Sequence, residues 1–198
     1  MVSFTRAELE SFRDEEVPDL LGPPDGPALR LLFVGINPGL WTAAVKTHFS
    51  HPGNRFYPAL HRAGITAYEL SRTDGMRDAD RAHLIERGVG ITNLVRRATV
   101  RASELSRTEL QEGGARLLEL VAQRRPRVVA IAGITAYRDA FGERTATAGR
   151  QPDRIGGPFG DSALWVVPNP SGLNAHETVD SLAAAYRAAA VEAGVVPA

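Results

Sequence analysis

Short apolar runs, each ended by a turn-forming sequence, recur along the chain and predict buried strands. The first covers residues 29–36 and stops at Asn37-Pro38-Gly39. Similar runs follow at residues 89–92, 127–133 and 163–167. A compact apolar run between turn signals is typical of a strand that is buried on both faces of a sheet.

Stretches with apolar residues at helical spacing separate these runs. They predict helices over residues 55–63, 78–87, 107–124, 134–141 and 177–192. Strands that alternate with helices predict an α/β fold, here a single three-layer domain with a central, mainly parallel sheet.

Residues 1–28 differ in character from the rest of the chain. Thr5-Arg6-Ala7-Glu8 has the form of a capping box and predicts a helix over residues 6–16, followed by a linker rich in proline and glycine. Two arginines stand against seven carboxylates in residues 1–28, a net charge of −5, and residues 29–198 therefore carry +5. We expect an acidic N-terminal helix and linker over 1–28 and the main domain over 29–198.

Composition excludes several classes of protein. The 198 residues, 43% of them hydrophobic, suffice for one well-filled core and are few for two domains. The absence of cysteine excludes disulfides, thiolate metal sites and cysteine nucleophiles. No apolar run approaches the roughly 18–20 residues needed to cross a bilayer, and the N-terminus lacks the layout of a secretory signal. We expect a soluble intracellular protein with no membrane partner.

The overall charge leaves a nucleic-acid partner open. Lys+Arg and Asp+Glu are both 23, which by itself argues against a polyanion partner. Every basic residue except Lys46 is an arginine, and the planar guanidinium suits phosphate contacts. A genomic bias toward arginine explains this composition equally well.

Two similar turns follow the first and the last predicted strand, at residues 35–40 and 168–174. Each contains an Asn-Pro step and a glycine. Ligands of parallel α/β sheets bind outside the carboxyl ends of the strands, so two matching turns favour a shared site. Either turn alone is as well explained as a simple strand terminator, because Asn, Pro and Gly are common in turns for local reasons.

These motifs carry a resemblance to a known family. Gly35-Ile36-Asn37-Pro38-Gly39, Phe49 with the sequence at 51–56, and Asn169-Pro170-Ser171-Gly172-Leu173 resemble the mismatch-specific uracil-DNA glycosylases, relatives of thymine-DNA glycosylase. Residues 90–95 and 99–106 fit the same layout. The resemblance covers roughly residues 29–190 and leaves the acidic N-terminal segment outside it.

The resemblance implies a monofunctional glycosylase that hydrolyses the N-glycosidic bond of uracil, preferably mispaired with guanine, in double-stranded DNA during base excision repair. Such an enzyme turns the nucleotide out of the stack into a pocket. It would need no metal and no organic cofactor, and it would act as a monomer in the prokaryotic cytoplasm, with the nucleoid. Repair enzymes that act on abasic sites are its expected downstream partners.

The resemblance also implies roles for particular residues. Asn37 would hold a water beside the anomeric carbon through its carbonyl oxygen, since a neutral amide is a poor general base. The glycine-bearing turn at residues 36–39 could offer backbone N–H groups that stabilise the departing uracil anion. Asn93 is a second catalytic or pocket residue, and capping of a turn is as good an explanation for it. The expected base pocket consists of Ile36, Gly39, Thr42, Phe49 and Asn169, with the base stacked on Phe49.

A further set of residues is expected to contact the DNA. Leu173 would be the wedge that fills the space left by the flipped nucleotide, although it could instead pack against the following helix. Ser171, Gly172 and Asn174 flank it, and backbone groups there could bond the unpaired guanine. Arg96, Arg97 and Arg101 form a basic cluster that suits either phosphate contacts or a solvated loop.

Other residues narrow the chemistry. His48 and His51 are interpreted as loop residues and not as zinc ligands, because no third ligand accompanies them. A Schiff-base lyase needs an amine nucleophile, and only Lys46 and the N-terminus qualify, so strand cleavage is not expected.

Three other functions stay open at this point. One is a glycosylase for other damaged bases such as ethenocytosine, hypoxanthine or xanthine. Another is a DNA-damage binding module without chemistry, which should retard mismatched duplex without releasing a base. The third is an enzyme of free nucleosides or nucleotides, which should ignore duplex DNA.

Overall fold

The computed structural model of the protein describes residues 2–152 and 157–198. The strands in those ranges are β1 (Leu31–Gly35), β2 (Val89–Asn93), β3 (Val128–Ala132), β4 (Gly149–Arg150) and β5 (Ala163–Val167). The α-helices are α1 (Arg6–Glu10), α2 (Leu40–Val45), α3 (Phe56–Arg62), α4 (Asp78–Glu86), α5 (Arg107–Arg124), α6 (Ile134–Phe141) and α7 (Val179–Glu192). A 3₁₀ helix covers Ala102–Glu104.

The five strands form one sheet in the order β2-β1-β3-β5-β4. The first four are parallel to their neighbours, and the short edge strand β4 is antiparallel to β5. The chain winds from β1 to β2 on one side and from β3 to β5 on the other. The winding therefore reverses between β1 and β3, and the carboxyl ends of these strands are where such sheets bind ligands.

Helices cover both faces of the sheet. On one face α3, α4 and α7 bury a cluster that includes Phe33, Phe56 and Tyr186, with the rings of Phe33 and Phe56 packed edge to face at 5.1 Å. On the other face α5 and α6 bury Leu32, Val34 and their neighbours. β1, β2 and β3 are buried along their whole length, which explains their continuous apolar sequences. The predicted three-layer α/β fold with a mainly parallel sheet is confirmed.

Most predicted elements lie where the apolar pattern placed them. The elements α5, α6 and β5 begin and end at the predicted residues, and the ends of β1, β2, β3, α3, α4 and α7 differ from the predicted ones by at most two residues. The helix α2 and the strand β4 were not predicted. They span six and two residues, too few for a periodic pattern to develop.

The predicted helix over residues 6–16 is wrong in its length, because α1 ends at Glu10. Backbone pairing with the rest of the protein competes with the helix: Asp14 N donates to Ala98 O at 2.9 Å, and Asp14 adopts a positive φ of 63°. Further along, Leu20 and Ile91 exchange two backbone hydrogen bonds, of 2.9 and 2.7 Å. The acidic segment therefore lies along the outer edge of β2.

Among the described helices, none is both long enough and apolar enough to span a bilayer.

Candidate functional site

A cleft of about 810 Å³ lies at the carboxyl ends of the parallel strands. It is formed by the turn after β1 (residues 36–39, the β1 turn), by the ends of β2 and β3, and by the segment after β5 (residues 168–177, the β5 loop). Of the predicted site residues, the cleft is lined by Ile36, Asn37, Gly39, Thr42, Phe49, Asn93, Asn169, Ser171, Gly172 and Leu173. The topology of the sheet thus brings together residues that lie up to 137 positions apart in the chain.

The side chain of Asn37 is held in one orientation. Its Nδ2 donates to Pro38 O at 3.1 Å, to Arg97 O at 3.1 Å and to Thr99 Oγ1 at 2.7 Å. Thr99 in turn donates its hydroxyl proton to Arg101 O at 2.9 Å, so its oxygen can accept from Asn37. Two of the three partners are carbonyl oxygens, which accept only, and this assigns the NH₂ group to their side. Within the described residues no donor reaches Asn37 Oδ1, and this oxygen is free to bind a ligand or a water.

The side chain of Asn93 is buried at the end of β2, with 7% of its surface exposed. Its Nδ2 lies 3.0 Å from Nδ1 of His48, whose Nε2 lies 2.9 Å from Pro18 O. Burial lowers the pKa of His48, so the ring is neutral at neutral pH. His48 is thus a buried partner of a cleft residue, which its position in an apparently ordinary loop did not indicate.

Gly35 leaves the space that this arrangement needs. It pairs with Asn93 in the register of β1 and β2. A Cβ at Gly35 would lie 2.2 Å from Asn93 Oδ1 and 3.0 Å from Cζ of Phe49. Any larger residue would therefore displace both side chains, which explains the glycine at the start of the first motif.

Phe49 is half-buried, and its ring stacks on the ring of Phe56 with 4.1 Å between centroids and 26° between planes. Its backbone adopts the left-handed conformation with a φ of 54°, which costs roughly 1–2 kcal/mol for a residue with a side chain. Burial of the residues on both sides of it, His48 and Ser50, holds this conformation in place. Ser50 also donates to the hydroxyl of Thr42, at 3.3 Å, in the cleft wall.

The β5 loop presents Leu173 to solvent. The Leu173 side chain is 90% exposed, so it does not pack against the following helix. Asn169 shapes the loop: its Oδ1 accepts from Ser171 N at 2.9 Å, and its backbone oxygen accepts from Asn174 Nδ2 at 3.1 Å. A Cβ at Gly172 would lie 2.6 Å from Gly53 O, so only glycine allows this close approach between the two loops.

Arg55 braces the β5 loop from the other side. Its Nη2 donates to the carbonyl oxygens of Ser171 and Asn174, both at 2.7 Å, and its Nη1 donates to Glu177 O. Arg55 is part of the motif at 51–56, but the sequence contained no sign of this bracing role. Three backbone carbonyls held by one planar guanidinium keep the β5 loop in position.

Arg55→Lys is expected to loosen the β5 loop, because an ammonium cannot reproduce the planar fork that spans the three carbonyls. The amide of Asn174, which donates to Ser171 O at 2.9 Å, should exchange its proton at least about 10-fold faster. Hydrogen–deuterium exchange followed by NMR measures this rate. Arg62→Lys, at an exposed ion pair with Asp180, is the matched control. Equal exchange rates in the wild type and the Arg55→Lys variant would contradict the bracing role.

The arginines beside the cleft are mostly engaged within the protein. Arg96 pairs with Asp19 at 2.9 Å, and Arg97 pairs with Asp14 at 2.9 Å and with Glu109 at 2.6 Å. The Arg97 guanidinium holds the pKa of Glu109 at about 2. These ion pairs compete with the phosphate contacts that the sequence left open for Arg96 and Arg97. The carboxylates that engage them come in part from the acidic N-terminal segment.

Arg101 is the member of this cluster that stays exposed at the mouth of the cleft. Within the described part of the chain, no carboxylate lies within ion-pair distance of it. It is thus the arginine of the cluster that is available to an anionic ligand.

His51 lines the cleft, and Lys46 is not among its lining residues. The ammonium of Lys46 bonds to Glu15 at 2.7 Å and to Glu16 O at 3.2 Å. His51 is exposed, and its Nδ1 accepts from Gly53 N at 3.1 Å. Across residues 2–152 and 157–198, no group of three or more His, Cys, Asp or Glu side chains is arranged to hold a metal ion.

A second cavity, of about 890 Å³, lies at the amino ends of β3 and β5, where Arg127, Ser162 and Ala163 line it. Ligands of parallel sheets bind at the carboxyl ends, and the residues of the sequence motifs lie at that end as well. The cleft beside Asn37 is therefore the candidate functional site.

Comparison with known families agrees with the fold. The sequence model of the Uracil DNA glycosylase superfamily matches residues 23–192. The match includes every residue predicted for the site and begins after the N-terminal acidic helix.

Proposed function

Because the chain belongs to the Uracil DNA glycosylase superfamily, a family of DNA glycosylases, we propose that it releases uracil from double-stranded DNA, with a preference for uracil mispaired with guanine. The observation that carries the proposal is the side chain of Asn37. Three acceptors hold its Nδ2, and no donor among the described residues reaches its Oδ1, in a cleft that Phe49 also lines.

The base pocket is built for a flat ring that arrives from the duplex. Phe49 stacks on Phe56 with one face and lines the cleft, so its other face would receive the base. Asn93, at the adjacent strand end, carries both a donor and an acceptor for the hydrogen-bonding edge of a pyrimidine. Thr42 and Ile36 line the same cleft and limit the size of the ring.

Cleavage breaks the bond between C1′ of the sugar and N1 of uracil. The electron pair leaves with N1, which makes the uracil an anion and the sugar a cation. Asn37 Oδ1 accepts a hydrogen bond from a water and directs the oxygen of this water to C1′, where the new bond forms. The water proton passes to solvent or to the released uracil, because a neutral amide does not take it up. The products are an abasic site and free uracil.

The leaving anion needs partial positive charge near its oxygens. The β1 turn leads into α2, whose first residue follows Gly39 without a side-chain cap. The N–H groups at the start of this helix would supply dipoles whose attraction for the uracil oxygens increases as the uracil gains charge. The catalytic power of such a site is modest, so it depends on a good leaving group.

The β5 loop accounts for action on a duplex. Leu173 projects into solvent beside the cleft and would fill the gap that the flipped nucleotide leaves. Backbone groups near Gly172 and Asn174 would meet the unpaired guanine. The single lysine of the chain is ion-paired with Glu15, which supports hydrolysis without a Schiff base or strand cleavage.

The test is base release from a labelled duplex with one U·G pair, compared with U·A, single-stranded uracil, and duplexes that carry ethenocytosine, hypoxanthine or xanthine. We expect the fastest release from U·G, seen as abasic sites that alkali cleaves. Salt-dependent binding to the U·G duplex without release would indicate a damage-binding module instead. Turnover of free nucleosides alone would indicate a small-molecule enzyme.

A further inference from the structure

His48 is a buried histidine whose two ring nitrogens both have partners. It is 4% exposed, and it joins the N-terminal segment at Pro18 to Asn93 in the wall of the cleft. Because Pro18 O can only accept, the proton of the neutral ring lies on Nε2. Nδ1 then has a lone pair and no proton. Asn93 must therefore donate to it from Nδ2.

The charged groups around His48 keep this arrangement intact. Burial lowers the pKa of its ring, the hydrogen bond to Pro18 and the charge of Asp19 oppose that shift, and the charge of Arg81 adds to it. Asp19 is itself held by Arg96 and by the hydroxyl of Thr92, at 2.9 and 2.7 Å. The neutral ring with a proton on Nε2 is the form that fits these partners.

The orientation of Asn93 follows from that of His48. With Nδ2 directed at the histidine, Oδ1 lies over Gly35, next to the edge of the Phe49 ring. An acceptor is thus presented where a base stacked on Phe49 would have its edge. Uracil offers an N3–H donor to such an acceptor, whereas cytosine offers the lone pair of N3 in the same place.

We propose that His48 is a positioning residue that sets the direction of the Asn93 amide, so that the cleft binds a uracil edge and rejects a cytosine edge. The proposal rests on the proposed function, since it assumes that a pyrimidine enters this cleft. The carbonyl of Pro18 gives the N-terminal segment a part in base selection, because it determines which nitrogen of His48 carries the proton.

The tautomer is tested on the wild-type protein alone. NMR of the ¹⁵N-labelled imidazole distinguishes a protonated Nε2 from a protonated Nδ1. We expect the proton on Nε2. A proton on Nδ1 would overturn the proposal, because Asn93 would then have to turn Oδ1 toward the histidine.

The effect on base selection is tested with two substitutions, each of which places an amide near a different nitrogen of the former ring. His48→Asn places an amide oxygen near the former Nδ1 and can still accept from Asn93. His48→Gln places its amide near the former Nε2, where it can donate to Pro18 O but leaves Asn93 without an acceptor. A role in packing alone predicts similar effects for both variants.

The readout is the ratio of Kd values for two mispaired duplexes that the enzyme cannot cleave, one with 2′-fluoroarabino-uridine and one with 2′-fluoroarabino-cytidine. The wild type and His48→Asn should favour the uridine duplex at least about 10-fold, and His48→Gln should bring the ratio close to one. Equal ratios in both variants, or retention only in His48→Gln, would overturn the proposal. If neither variant folds, the tautomer measurement decides.

This outcome is separable from that of the proposed function. A wild type that prefers the uridine duplex but releases no uracil retains the positioning role and loses the proposed chemistry. A wild type that releases uracil from U·G but binds both duplexes equally retains the chemistry and loses the positioning role.

Discussion

Asn37→Ala is expected to lower the rate of uracil release from a U·G duplex by at least about 100-fold, because the attacking water loses the oxygen that directs it at C1′. DNA binding should change little, since Asn37 lies within the cleft and contacts neighbouring backbone through Nδ2 alone. Single-turnover release, measured with enzyme in excess, isolates the chemical step from product release. Release at the wild-type rate would show that Asn37 does not act on the reacting atoms.

Two further variants separate the oxygen of Asn37 from its NH₂ group. Asn37→Asp retains an oxygen but places a second one against the carbonyl oxygens of Pro38 and Arg97, so it should also lose most activity. Thr99→Val removes one of the three acceptors while leaving the amide in place, and its loss should be clearly smaller. If Thr99→Val lowers the rate of uracil release as much as Asn37→Ala does, the rate depends on the conformation of the turn and not on Asn37 Oδ1.

Leu173→Ala is expected to reduce the single-turnover rate on U·G duplex about 10- to 100-fold while changing the rate on single-stranded uracil little. A leucine inserted into the duplex offsets about 1.5–3 kcal/mol of lost stacking through burial of its side chain, and a single strand has no gap to fill. The side chain contributes little to the stability of the free protein because it is 90% exposed. Thermal unfolding should therefore be unaffected.

Val100→Ala is the matched control for the wedge. Val100 is 52% exposed and lines the same cleft, but it belongs to the segment after β2 and not to the β5 loop. Its removal should affect duplex and single strand to the same extent. Equal duplex-specific losses for both variants would attribute the effect to general apolar contact with DNA and not to a wedge at Leu173.

The sequence predicted most helices and strands of this fold, because each of them depends on residues that are close together in the chain. Strands buried on both faces require continuous apolar runs, and helices on a sheet require one apolar face, so each pattern can be recognised within a single stretch. The N-terminal helix shows the limit of that reasoning. Its capping box formed as predicted, but its end is decided by backbone pairing of Asp14 and Glu15 with Ala98, far along the chain.

The predicted site residues come in short motifs, of which those with Asn37 and Leu173 follow strands and the one with Phe49 follows α2. Asn37, Phe49 and Leu173 each follow from such a motif, and the structure brings all three to one cleft. Arg55 and His48 were not assigned a role. Their partners are mainly backbone carbonyl groups, and a backbone carbonyl carries no signature in the sequence.

By itself, the sequence determined the three-layer architecture and placed two glycine-bearing turns at strand ends, since both depend on neighbouring residues. The tertiary structure decided which polar groups are free to act. It pairs Arg96 and Arg97 with carboxylates and leaves Arg101 exposed, and it directs the amide of Asn93 through a histidine held by the acidic segment. A polar group forms its hydrogen bond or ion pair with the partner that the fold brings within about 3 Å. The order of residues along the chain does not specify that partner.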